Sequence, residues 1–193
     1  MRICWLVFAV ACNQPATKPV APTTTAWPIP SGWKHELIPF PLEFAPDLHH
    51  RGVEELRFPP GFLDAASPNR WSYAFAWRLD DAAELDAASL GAELEAYFRG
   101  LLVAVDGDKH RFAADQITAT AAPGPSGTFA VTAHIVNAFG DATPVDLAGS
   151  ARRSGCSDGG SLWTFVLAPQ ASSLRGQLDE LVRGAACGQP PVP

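Results

Sequence analysis

Between Trp71 and Leu79 the chain alternates without a break: Trp71, Tyr73, Phe75, Trp77 and Leu79 are large, while Ser72, Ala74, Ala76 and Arg78 are small or polar. A period of two puts the five large side chains on one face of a strand, and that face is expected to meet the core. The period then changes. Leu90, Leu94, Tyr97, Phe98 and Leu101 recur at helical spacing, and Asp81 with Glu84 offers a capping box to start the helix. The end of this helix is open in the sequence: Gly100 with Leu101 would make a glycine C-cap, whereas Leu102 and Val105 would carry the stripe further. Asp106-Gly107 reads as a turn in either case.

Strand-type patterning returns after the turn. Ile117–Ala121, Thr128–Phe139, Val145–Ala151 and Ser161–Ala168 are separated by Pro123-Gly124-Pro125, by Gly140-Asp141 and by the stretch from Gly155 to Gly160, the punctuation of an antiparallel meander. A second helix is expected from Ser172, with Leu174, Leu178, Leu181, Val182 and Ala185 as its apolar stripe and Cys187 just beyond it. Ahead of Trp71 the chain is apolar but broken by prolines. Phe40, Leu42 and Phe44 recur at period two, an extended strip laid on the core at an edge, and Val53–Phe58 makes a short strand ended by Pro59-Pro60-Gly61. These elements predict a single α+β domain over residues 32–193: an antiparallel sheet of about five strands, a helix packed on one face, and a C-terminal helix. The order of strand, helix, meander and helix resembles the cystatin or NTF2-like layout. That resemblance is one of element order and transfers no functional residue.

Composition narrows the function classes. The 193 residues are 47% hydrophobic and 18% charged, an ordinary globular balance in which one core suffices without a structural metal. Lys+Arg 14 against Asp+Glu 20 gives a net charge of -6, which argues against nucleic acid as a partner because that affinity depends on clustered cations. No Walker-type or Rossmann glycine pattern is present, and no cofactor is expected.

The first twelve residues carry one cation, Arg2, then an apolar run, then small residues leading into Cys12. That is the order of an export signal, and the run is too short for a bilayer-spanning helix. Ala9-Val10-Ala11-Cys12 resembles the lipobox of bacterial lipoproteins, which implies cleavage before Cys12, lipid attachment to it and a membrane partner through that lipid. Residues 13–31, with Pro15, Pro19, Pro22, Pro28, Pro30 and the run Thr23-Thr24-Thr25, read as an extended spacer between anchor and domain. In the oxidising compartment that export implies, Cys156 and Cys187 are expected to form a disulfide.

Candidate chemistry is sparse. Gly155-Cys156-Ser157-Asp158-Gly159 matches G-x-S-x-G, but a strand follows where the nucleophile elbow needs a helix, and no histidine lies downstream, so a hairpin turn is the reading taken. His35-Glu36 opens like a zincin motif and then meets Pro39, which excludes the helix that motif requires. His49, His50, Glu54, Glu55 and Arg57 form the densest polar cluster and are the candidates for ligand contact. As adjacent strand residues, Glu54 and Glu55 are expected to point to opposite faces, which weakens a two-carboxylate or metal site. No catalytic residue is assigned. The sequence therefore reads as an exported, lipid-anchored bacterial envelope protein with a non-catalytic domain that binds a protein or a small molecule. The alternative is a small envelope hydrolase using Glu54 or Glu55 with His49 or His50.

Overall fold

The computed structural model describes residues 25–188, so the expected signal, Cys12 and residues 13–24 of the spacer lie outside the described residues. The fold is α+β. Seven antiparallel strands form one sheet in the order β2-β3-β4-β8-β7-β6-β5, with β2 at Lys34–Phe40, β3 at Gly52–Phe58, β4 at Tyr73–Leu79, β5 at Thr118–Pro123, β6 at Thr128–Val136, β7 at Pro144–Gly155 and β8 at Ser161–Ala168. A two-residue strand, β1 (Thr25–Ala26), pairs with β9 (Ala186–Cys187) in a separate small sheet. The chain enters at one edge of the large sheet, reaches its interior at β4, crosses through helix α1 (Ala87–Asp106) to the far edge, and returns by a meander to pair the central strand β8 with β4.

The sheet thus has seven strands rather than about five, and three of its strands precede α1 where the sequence predicts one long strand and a short one. The cystatin or NTF2-like order does not follow from this arrangement. The missed strand is β2. The period-two pattern runs through Phe40, Leu42 and Phe44, but strand pairing stops at Phe40, where the Phe40-Pro41 peptide is cis and the chain turns. Leu42, Ala45 and Leu48 are then buried from turns, each apolar contact made without a ladder.

The five large residues of the alternating segment all enter the main core beneath α1, as the period predicts. Their small neighbours do not face water. Ala74 and Ala76 join Leu162, Val166 and Ala168 of β8 in a second core on the outer face, covered by Trp27 and by helix α2 (Arg175–Arg183) through Leu178 and Leu181. With both faces covered, every residue of β4 and β8 is buried. Trp27 also moves the domain boundary. Residues 25–31, read as spacer, include a strand and a buried tryptophan, and they belong to the domain.

Helix α1 starts later than the Asp81-Glu84 box suggests. Asp81 accepts from the backbone of Ala83, and the carbonyl of Ala83 is held by Arg153 Nε at 2.9 Å and Trp163 Nε1 at 3.3 Å, which pins this segment to the sheet in a non-helical course. Asp86 is the N-cap, accepting from Ser89 N at 2.8 Å. The helix runs through Gly100 to Asp106. Gly100 serves packing instead of capping: a Cβ there would lie 2.0 Å from the Phe44 carbonyl oxygen.

Cys156 and Cys187 form the expected disulfide, with Cα atoms 5.7 Å apart. It ties the β7–β8 turn to β9, and so to the strand that pairs with Thr25–Ala26. The G-x-S-x-G string is that turn, with Cys156 in the bridge and Asp158 paired with the buried Arg78.

A candidate ligand-binding cleft

The placement of α1 creates an opening. Its backbone comes closest to β5 and β6, and the absence of a Cβ at Gly91 brings it against the backbone of Thr120 and Ala121. The β2–β3–β4 half of the inner face is left further from the helix, and aromatic side chains fill only part of the gap. What remains is a cleft of about 580 Å³ between α1 and this half of the sheet. Its floor is Leu56, Phe58 and Tyr73, its helical wall is Tyr97, Phe98, Leu101, Leu102 and Val105, and Lys34, Glu36 and Ile38 line it from β2. The Pro59–Trp71 connection forms one lip, closed by a hydrogen bond from Trp71 N to Phe62 O at 3.0 Å, and the Phe62 ring meets Trp71 edge-to-face with centroids 5.6 Å apart. Phe139, from the β6–β7 turn, meets Trp71 at 5.8 Å on the opposite lip. Arg111 fixes that lip: it bonds Asp106 at the end of α1 and the carbonyls of Ala138 and Gly140 in the turn. Leu63 and Phe139 are half exposed at the rim, apolar area left open to water where the rest of the core is sealed.

The polar cluster singled out from the sequence is dispersed over both faces of the sheet. Glu54 points inward, fully buried on the inner face of β3 between its cross-strand partners Ile38 and Trp77. Its Oε1 accepts from Trp77 Nε1 at 3.1 Å, while its buried Oε2 has no hydrogen-bond partner of normal geometry. Burial pushes the Glu54 carboxyl up to about 7. Donors on Trp77 and Tyr97 oppose that rise, and the charge of Glu36 adds to it. Burial likewise raises the phenols of Tyr73 and Tyr97, so both are neutral near pH 7.

Glu55 and Arg57 face the other way. Glu55 accepts from Trp27 Nε1 at 3.0 Å and from the backbone of Thr25, and Arg57 donates to it at 3.1 Å while lying 4.3 Å over the Trp27 ring. They clamp the N-terminal segment to the outer face and do not reach the cleft. His50 bonds Glu93 of α1 at 2.9 Å and packs by Phe40 and Trp77, its pKa raised by the Glu93 hydrogen bond against the opposing effect of burial. His49 is exposed. No histidine and carboxylate of this group converge on one opening. Among the described residues, no group of three or more His, Cys, Asp or Glu side chains is placed to hold a metal ion, and no helix is long and apolar enough to cross a membrane.

A second depression, of about 590 Å³, lies on the outer face of β5–β7 beside α2. It is wide, and most of its polar groups are already paired: Thr120 with Thr132 at 2.8 Å, His134 with Asp146 at 2.7 Å, and Arg175 with the carbonyls of Ala148 and Ala168. The cleft under α1 is the stronger candidate, because its walls are largely apolar, concave and aromatic.

Sequence patterning placed Tyr97, Phe98 and Leu101 on the buried stripe of a helix and Phe58 on a strand, without separating cleft wall from sealed core. Periodicity reports which face turns inward, and both surroundings share that face. Comparison with known proteins adds no assignment: no protein-family model matches the chain, and neither a curated protein nor a solved structure shows significant similarity to it.

Proposed function

We propose that this is a non-catalytic ligand-binding domain that takes a small apolar molecule into the cleft between α1 and the β2–β4 half of the sheet. The observation that carries the reading is the aromatic cleft itself, whose 580 Å³ falls within the range of small-molecule sites and whose rim leaves Leu63 and Phe139 half exposed. A cleft of this size suits a compact molecule better than a protein segment. Export and lipid attachment through Cys12 complete the proposal: the disulfide between Cys156 and Cys187 favours an oxidising compartment such as the bacterial envelope.

The test is a titration with Nile red, a neutral dye that brightens in apolar surroundings. The wild-type protein is expected to bind it saturably, and Leu101→Trp, which fills the cleft from its helical wall, to lose binding while keeping the wild-type melting temperature. Equal binding by the filled variant would overturn the proposal. The hydrolase alternative gains no support from the geometry, since Glu55 and His49 lie away from the cleft and His50 is bonded to Glu93.

A further inference from the structure

The two edges of the large sheet are finished differently. Because ladder bonds alternate along an antiparallel strand, one bond fixes which backbone groups each edge leaves over. One step beyond the Gly52–Leu79 pair, Asp80 N donates to Arg51 O at 3.0 Å, so odd-numbered residues of β3 bond β4 and even-numbered ones bond β2. The register then commits the backbone of Lys34, Glu36, Ile38 and Phe40 to β3 and turns that of His35, Leu37 and Pro39 outward. At the other edge, Gly124 N donates to Thr128 O at 2.8 Å, which turns the backbone of Ala119, Ala121 and Pro123 in β5 outward. Helix α1 occupies part of that edge: Ala119 N donates to Glu95 at 3.4 Å, and Arg99 reaches the Ile117 carbonyl just before the strand at 3.5 Å. Among the described residues no strand pairs with the outward edge of β2, and Leu37 on it is 47% exposed.

The open stretch of β2 is short and its charges are ordered. Pro39 has no amide to donate, and Trp33 N is taken by Pro30 O at 3.0 Å. Lys34 and Glu36 stand two positions apart on the same face, both exposed and neither in an ion pair among the described residues. A lysine alone guards an edge against its own copy. A lysine followed two residues on by a glutamate is complementary to itself in one antiparallel register.

We propose that β2 is the interface of a twofold homodimer, pairing antiparallel with β2 of a second copy about His35. The two His35 residues exchange N–H···O bonds, and Leu37 N of each copy donates to Trp33 O of the other. Lys34 then stands opposite the second copy's Glu36, twice across the dyad, in the closely spaced pair that makes no backbone bonds. On the outer face the exposed Leu37 meets the second copy's Trp33, which is half-buried against the outer core. Neighbouring registers lack this match. Centring on Lys34 or on Glu36 sets a charge against its own copy, and centring on Leu37 leaves both charges opposite apolar residues and His35 opposite Pro39. Lys34 and Glu36 also border the cleft, so the dyad sets two clefts side by side on one continuous sheet. The pairing itself is independent of what the cleft binds.

The experiment is sedimentation velocity of the full chain carrying Cys12→Ala, so that no lipid contributes, from micromolar to millimolar concentration. Pairing over residues 33–37 makes a small interface, and the wild type is expected to pass from monomer to dimer within that range. Lys34→Glu and Glu36→Lys each make both cross-strand pairs like-charged and should weaken self-association about tenfold or more, with the melting temperature unchanged. Mixing the two variants in equal amounts should restore the dimer, because each supplies the charges the other lacks, and the double variant should dimerise as the wild type does. Association through any other surface is indifferent to this exchange. By hydrogen exchange, the amides of His35 and Leu37 should slow as the dimer forms, while those of Glu36 and Ile38 stay as they are. A wild-type chain that remains monomeric at millimolar concentration, dimers that both single variants retain, or a mixture that associates no better than either variant alone overturns the proposal. Protection that grows at Ala119 and Ala121 in place of His35 and Leu37 overturns it as well.

Discussion

Glu54 and Glu55 are neighbours in the chain, and each accepts a hydrogen bond from a different tryptophan on a different face of the sheet: Glu54 from Trp77 at 3.1 Å, Glu55 from Trp27 at 3.0 Å. The strand's two-residue period assigns one carboxylate to the inner face beneath α1 and the other to the clamp that holds the N-terminal segment. Glu55 has Arg57 as a counter-charge, whereas Glu54 has none among the described residues, and that difference sets their chemistry.

The first consequence is a pH dependence of stability. The Glu54 carboxyl is raised in the folded protein to about 7 from an ordinary value of 4.5. The unfolded chain therefore loses its proton first, and stability present below pH 4.5 falls as pH rises, reaching its full loss above about pH 7. The penalty removed by Glu54→Gln is on the order of 3 kcal/mol at pH 8 and near zero at pH 4. His50, also raised, contributes a loss in the same direction, so the wild-type-minus-variant difference in denaturant unfolding at each pH is the quantity to measure. A difference that does not change between pH 4 and pH 8 would contradict this account of Glu54.

Gly100→Ala gives a second expectation. In an exposed helix interior alanine is favoured over glycine by about 1 kcal/mol. Here a Cβ would lie 2.0 Å from the Phe44 carbonyl, so the 41–48 turns must move, and net destabilisation of about 1–3 kcal/mol is expected from overpacking. Thermal melting decides the sign.

Removing the disulfide should destabilise the domain. With a sequence separation of 31 between Cys156 and Cys187, the chain-entropy relation gives about 3–4 kcal/mol for the paired Cys156→Ser, Cys187→Ser variant. Because the bridge backs β9, the strand that pairs with Thr25–Ala26, hydrogen exchange should accelerate first at residues 25–31. Uniform exchange across the domain would count against the bridge as a clamp for this segment.

Anchoring is tested by fractionation. Cys12→Ala is expected to shift the expressed protein from the membrane fraction to the soluble fraction, and unchanged partitioning would remove the lipid tether from the proposal.

The fold and the cleft were legible to different degrees in the sequence. The Trp71–Leu79 alternation, the α1 and α2 stripes and the cysteine pair are local signals strong enough to survive folding, and each appears in the structure. The edge strand β2 was hidden because its residues face the cleft or solvent, and only Phe40 is buried, so its alternation carries little apolar contrast. The start of α1 was misplaced because Arg153 and Trp163, distant in sequence, hold the Ala83 carbonyl. The opposite orientation of Glu54 and Glu55 was readable from period two. The cleft was not, since it arises from where α1 rests on the sheet, a distance between elements that no local pattern records.

The central claim is that the opening under α1 is a binding site, and the most direct measurement is an NMR titration of labelled protein with a small apolar ligand. The account predicts saturable shifts confined to Tyr97, Leu101 and Val105 of α1, Glu36 and Ile38 of β2, and the Phe62 and Phe139 lips, with Thr120, Thr132 and His134 on the outer face unmoved. Shifts concentrated on that outer face, with the cleft residues silent at saturation, would contradict it.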